Sequence, residues 1–292
     1  MKKLVYTLIL ITMFSLFSCS TTGQSVDYSY QENSSTEGKY LYEMGVSYLS
    51  AGNNAMAIYY LEKAIQTYKT PDVYNSLALA YQFAGEYVKA ENTFKEALEK
   101  YPNSPELWTN YGILLAIQKK YNEALSYLEK AANHPTYSRK EIAYYNIALI
   151  QLSLGRENLF LENMKKAIMY NSNYLDPYVS LGDYYYDKYL SNKRVSDLQI
   201  SREYYSKALS LSFNNPVLYF KLGKVYRDLG QIDLAKFYFE KALKASSEDK
   251  QLQEEVKKAL LDIIENSTKY ENPQQFQNQK QTESDLIKDV IK

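Results

Sequence analysis

The stretch LALAYQFAGEYVKAENTFKEA, residues 77–97, decides the fold. It opens on Leu77-Ala78, reaches Tyr81, turns at Gly85 and continues through Ala90, Phe94 and Ala97. Apolar residues recur at steps of three and four on both sides of the glycine, so each half has the period of a helix. A glycine between the halves suits the left-handed residue that ends the first helix. Neither helix can hide its apolar side alone. Together they can, if small residues such as Ala78 and Ala90 let them approach while Tyr81 and Phe94 fill the remaining space.

The pattern recurs along the chain. Met44-Gly45 leads to Tyr48, Leu181-Gly182 to Tyr185 and Leu222-Gly223 to Tyr226, with divergent copies at Tyr111-Gly112 and Ile147-Ala148. Downstream come Ala57, Leu61 and Ala64, then Ala124, Leu128 and Ala131, and finally Ala235, Phe239 and Ala242. The small residues Gly45, Ala78, Gly112, Ala148, Gly182 and Gly223 stand 33, 34, 36, 34 and 41 positions apart. Punctuation agrees with them. Thr70-Pro71, Ser104-Pro105, Asp176-Pro177 and Asn215-Pro216 place a capping side chain before a proline, and Ser138 with Glu141 reads as a capping box. Gly52, Gly85, Gly155 and Gly230 fall at the turn within a pair.

This period and alternation resemble the tetratricopeptide repeat family. The resemblance implies an all-α fold, a right-handed α-α superhelix (a TPR solenoid) of about six helix pairs over 38–249. Its repeats start near 38, 71, 105, 141, 175 and 216. Leu252, Val256, Leu260 and Ile263 mark a polar-backed helix over 250–266 that caps the open end, and 267–292 reads as a disordered tail. Two copies depart from the pattern. Phe160 stands where the others carry a small residue, so the fourth pair must splay or repack. Leu190 to Asp197 reads as a long loop, either a tolerated insertion or an interaction element.

Composition excludes several function classes. Lys and Arg number 34 against 34 Asp and Glu, so the basic excess of a nucleic-acid binder is missing. With one cysteine and one histidine, no disulfide framework and no Cys/His zinc site can form. His134 lies in Asn133-His134-Pro135, a loop, and reads as solvated. No phosphate-binding glycine loop, metal-ligand cluster or nucleophile–base pair is present, so no catalytic residue, metal, cofactor or small-molecule substrate is expected.

Residues 1–18 have the form of a secretory signal: Lys2 and Lys3, then an apolar run from Leu4 to Phe17 that is short of the roughly 20 residues a spanning helix needs. Leu16-Phe17-Ser18-Cys19 resembles the bacterial lipobox, which implies lipidation at Cys19 and membrane attachment through that lipid. Ser20 follows in place of Asp; where lipoproteins are sorted as in enterobacteria, the lipobox resemblance then implies the outer membrane. Residues 19–37, polar and poor in packing groups, read as a flexible tether.

In the repeat family the first helix of each pair lines an inner groove. The matching positions here are Tyr42, Val46, Leu49, Asn75, Leu79, Phe83, Thr109, Ile113, Ile117, Tyr145, Leu149 and Leu152, a largely apolar trough. The last two copies add Asp183, Tyr186, Asp187, Lys224, Arg227 and Asp228. Such a face suits a protein segment, unless stacking or the tether covers it. The Lys/Asn carboxylate clamp of some family members is absent.

A closer resemblance runs from Tyr42 to about Tyr185. Met44-Gly45-x-x-Tyr48-Leu49-x-x-Gly52, Asn110-Tyr111-Gly112-x-x-Leu115, Pro135-x-Tyr137 and Asn146-x-Ala148 are similar to type IV pilus biogenesis lipoproteins of the PilF/PilW type, the secretin pilotins. This resemblance implies a periplasm-facing outer-membrane lipoprotein whose partner is a pilus secretin subunit. The alternative is a general envelope scaffold serving outer-membrane protein assembly or cell-wall hydrolases.

Overall fold

The computed structural model describes residues 28–268. The expected signal peptide at 1–18, the lipidation site Cys19, the tether up to residue 27 and the tail beyond 268 lie outside the described residues. Those described form thirteen helices and no strand. Six pairs follow in order: α1 (Tyr28–Ser50) with α2 (Asn54–Thr67), α3 (Pro71–Phe83) with α4 (Tyr87–Lys100), α5 (Pro105–Ile117) with α6 (Tyr121–Ala132), α7 (Lys140–Ser153) with α8 (Glu157–Tyr170), α9 (Leu175–Asn192) with α10 (Val195–Leu211), and α11 (Pro216–Asp228) with α12 (Ile232–Ala245). A single helix, α13 (Lys250–Thr268), closes the series. The chain divides into two compact units, one through Leu114 and one from Leu115.

In the first unit α1 packs on α2, α2 on α3 and α3 on α4. Ala57, Leu61, Ala64, Ala78, Ala90, Phe94 and Ala97 are all buried. A Cβ at Gly45 would come within 2.5 Å of Leu61, which is why a glycine faces that leucine. Phe94 meets Tyr111 with ring centroids 5.7 Å apart.

In the second unit the same rule uses larger partners. A Cβ at Gly182 or Gly223 would run into the ring of Tyr205 or Phe239. Phe160 is wholly buried among Ala148, Met164 and Leu181, its ring 5.0 Å from that of Tyr184. The fourth pair therefore repacks, and α7 and α8 stay closely paired. On α13, Leu252, Val256, Ala259 and Ile263 bury against Tyr219, Ala235, Phe239 and Ala242.

The turns within pairs follow one design. Gly52, Gly85, Gly155 and Gly230 have φ of 72, 78, 71 and 74°. The next residue donates its N–H to the carbonyl five back: Asn53 to Tyr48, Glu86 to Tyr81, Arg156 to Gln151 and Gln231 to Tyr226, all at 2.8–2.9 Å. The third pair does the same through Lys119, a non-glycine at φ 61°.

Four expectations are corrected. Residues 28–37, read as tether, are the start of α1. No Pro or Gly interrupts them, and Gly38 lies inside the helix, where a Cβ would meet Thr67 Oγ1 at 2.5 Å and Tyr68 Cβ at 2.7 Å. The expected loop 190–197 shrinks to Lys193 and Arg194, because both helices extend into it. Lys193 takes φ 59° and donates to the Tyr189 carbonyl at 2.7 Å. Asn192 bridges the turn, accepting from the Arg194 N–H and donating to Asp197, both at 2.7 Å. Two caps differ as well. Thr70, Ser104 and Asn215 accept N–H groups of their helices. Asp176 and Pro177 instead lie inside the first turn of α9, and the cap of α7 is Arg139 without a side-chain bond, so the Ser138–Glu141 box does not form.

Candidate partner-binding faces

In the first unit the first helices of successive pairs present Tyr42, Val46 and Leu49 from α1, and Asn75 and Leu79 from α3, all half-buried. Phe83, at the end of α3, is 60% exposed. Ile113 on α5 is half-buried. Thr109 is corrected: it is 2% exposed and its hydroxyl donates to the Pro105 carbonyl at 2.8 Å, so it offers nothing to a partner. Polar groups tie the helices together beneath the apolar ones. Asn110 Nδ2 donates to Asn75 Oδ1 at 2.7 Å. Burial raises the Tyr42 phenol above its ordinary pKa, against an opposing hydrogen bond to Ser76.

In the second unit Ile117 is 48% exposed, and Tyr145, Leu149 and Leu152 on α7 are half-buried. The Tyr145 hydroxyl is hydrogen-bonded to Ser180 Oγ at 3.2 Å. Leu149 and Leu152 line a cleft of about 520 Å³ with Glu157, Ser180, Asp183, Asp187 and Lys188 among its other walls. A second cleft of about 320 Å³ lies between α9 and α11, lined by Asp183, Tyr186, Asp187, Leu190, Tyr205, Lys221 and Lys224. A third, of about 440 Å³, includes Phe220, Lys221, Lys224, Asp249, Leu252 and Glu255.

Asp183 lines the first two of these clefts. It accepts the Tyr205 hydroxyl at 2.5 Å and is ion-paired with Lys221. Burial, and then this bond to a carboxylate, push the Tyr205 phenol far above its usual range. Tyr186 is raised in the same way, by burial first and then by its bond to Asp228 at 2.7 Å. Arg227 holds Asp228 from the other side at 2.9 Å.

Reading the inner positions from the sequence missed the residues that join one copy to the next: Ser76, Asn110, Ser180 and Lys221. Each stands two positions before the small residue of its helix. That position is polar in every copy (Glu43, Ser76, Asn110, Asn146, Ser180, Lys221), and this signal was available. His134 lies in the loop between α6 and α7, its Nδ1 3.2 Å from Thr136 Oγ1. Among the described residues, no cluster of His, Cys, Asp and Glu could hold a metal, and no helix is long and apolar enough to cross a membrane.

Comparison with known proteins agrees with this architecture. Tetratricopeptide repeat models match residues 39–70, 71–104, 93–126, 142–174 and 217–249, together more than half of the chain. The type IV pilus assembly protein PilF of Pseudomonas aeruginosa is 23% identical over 224 residues, spanning 76% of this chain and 86% of that one. The solved structure of Pseudomonas aeruginosa PilF aligns with TM-score 0.61 at 21% identity, covering 78% of this chain and 98% of that chain. The crystal structure of PilW, a widely conserved type IV pilus biogenesis factor, aligns with TM-score 0.62 at 22% identity, covering 75% and 97%. At these identities the solved structures speak to the fold.

Proposed function

Because the chain belongs to the tetratricopeptide repeat family, we propose that it is a non-catalytic envelope lipoprotein that binds a protein partner along its first-helix faces. In this reading it acts like a pilotin for a type IV pilus. Lipid on Cys19 holds it to the outer membrane, facing the periplasm. The apolar face of Val46, Leu79, Phe83 and Ile113 takes a segment of a secretin subunit, so that secretin reaches the outer membrane and assembles. The likeness to PilF supports this reading, since it extends over 76% of the chain and 86% of the relative and so takes in most of the repeats. An apolar face left half-open across successive helices is what a partner segment needs.

The test is a deletion strain complemented with variants. Deletion abolishes secretin multimers while other outer-membrane proteins stay intact. Wild type restores the multimers, whereas Cys19→Ser leaves the protein soluble in the periplasm and Leu79→Glu with Ile113→Glu abolishes binding with helical content retained. Multimers that persist unchanged in the deletion strain refute the pilotin role.

A further inference from the structure

Across the second unit the lining of the clefts changes character in a fixed order. From α7 come the hydrocarbon side chains Leu149 and Leu152, from α9 the carboxylates Asp183 and Asp187 together with Lys188, which Glu157 engages at 3.9 Å, and from α11 the ammonium groups Lys221 and Lys224. The clefts share walls. Asp183 and Asp187 line the first two, and Lys221 and Lys224 the last two. They form one path through a single compact unit.

Half of the charge on this path is already satisfied. Asp183 and Lys221 pair with each other, with the Tyr205 hydroxyl behind. Asp187 is exposed and makes no ion pair among the described residues. Lys224 makes no ion pair there either, although Asp249 and Glu255 line the third cleft with it; its ammonium lies 4.9 Å from the Tyr186 ring and 5.8 Å from that of Phe220. One carboxylate and one ammonium thus line the same cleft, each open to a counter-charge from outside. Two charges of a bound segment could complete both.

The spacing says how those charges are arranged. Helices whose side chains meet lie about 8–10 Å apart, and here Tyr145 meets Ser180 across α7 and α9 while Asp183 meets Lys221 across α9 and α11. An extended chain advances about 3.3 Å per residue, so residues three apart fall on successive helices. We propose that the α7–α9–α11 face seats an extended segment of the partner carrying an apolar residue, a basic residue three positions on and an acidic residue three positions beyond that. The apolar residue rests on Leu149 and Leu152, the basic one pairs with Asp187, and the acidic one pairs with Lys224. This rests on the partner-binding reading above and adds the chemistry of the bound segment.

Short fluorescent peptides test it by anisotropy, titrated with the full chain at low salt. One set carries an apolar residue, Arg and Glu at intervals of three, built in both chain directions. The control set exchanges Arg and Glu. The first order binds at least about tenfold more tightly in one direction, and the advantage shrinks as salt is raised. Neutral Asp187→Asn with Lys224→Gln flattens the preference, and the reversed pair Asp187→Lys with Lys224→Glu inverts it. Equal binding of the two orders by wild type overturns the proposal, as does an unchanged preference in a reversed variant with native helical content. If the order preference is absent while the deletion strain still lacks secretin multimers, the pilus reading stands and only the charge order falls. If multimers persist in the deletion strain, the pilus role falls, whatever the peptides do.

Discussion

Replacing Phe160 with alanine separates two ways of reading this chain. Five of the six copies carry a small residue at that place in the second helix: Ala57, Ala90, Ala124, Ser201 and Ala235. By consensus, Phe160→Ala restores the family pattern and stabilises the protein. The structure predicts the opposite sign. Phe160 is 0% exposed and packs with Met164 and Leu181 over Ala148. Burying such a ring contributes about 1.5–3 kcal/mol. Its tilted contact with Tyr184 at 5.0 Å adds about 0.5–1.5 kcal/mol. Incomplete collapse of the cavity brings the expected loss to about 3–5 kcal/mol. Total stabilities are about 5–15 kcal/mol, so the variant should lose a large share of its margin. Urea unfolding followed by far-UV circular dichroism measures it: the midpoint falls sharply while the slope of the transition is kept. A loss under about 1 kcal/mol, or any gain, would mean that the fourth pair closes over an alanine as its neighbours do, and the repacking argument would be refuted.

Lys119 occupies with a side chain the left-handed turn position that four other pairs give to glycine. That conformation costs a non-glycine residue about 1–2 kcal/mol, and glycine's greater freedom in the unfolded chain returns part of it. Lys119→Gly should therefore stabilise by about 0.5–1 kcal/mol in the same urea experiment, and a destabilised variant would contradict the turn assignment. A second expectation concerns alkali. Tyr174, Tyr184, Tyr186 and Tyr205 all have phenols raised far above their usual value, in each case by burial first and then by a neighbouring carboxylate. Their neutral forms stabilise the fold fully below the unfolded value near about 10, and the contribution is lost as pH climbs from there towards the folded values. Helical signal should hold to about pH 10 and then fall together with the last part of the rise in phenolate absorbance, the part these four side chains contribute. Phenolate formation that runs to completion while the helices persist would show that these side chains are more open than the structure places them.

The frame of the fold was legible because it rests on residues that cannot be exchanged cheaply. A glycine facing Leu61, Tyr205 or Phe239 has no room for a Cβ, so the small residues mark the copies and fix their count. The turn glycines mark the ends of the first helices for a different reason: a Cβ would have room there, but the positive φ strains any side chain. Helix lengths were harder to read. Polar stretches without Gly or Pro, such as 28–37 and 190–197, carry no stop signal, and only contacts with the rest of the fold decide whether they coil or stay helical. Gly38 shows the ambiguity: read locally it breaks a helix, and in the fold it lets α1 lie against Thr67 and Tyr68.

The faces follow the same logic one level down. Periodicity places Tyr42, Leu79, Ile113 and Leu149 on the side turned away from the second helices, because that side is what remains once the pair has closed. It does not say which polar residue meets which. Asn75 bonds to Asn110 at a separation of 35, Tyr145 to Ser180 at 35, but Asp183 to Lys221 at 38. The last interval is longer because the fifth copy carries added helical turns, so a fixed register carried forward from the earlier copies would have paired Asp183 with the wrong residue. A polar group two positions before each small residue is a pattern in the sequence. Its partner depends on how far the chain advances between copies, and that distance is set by packing.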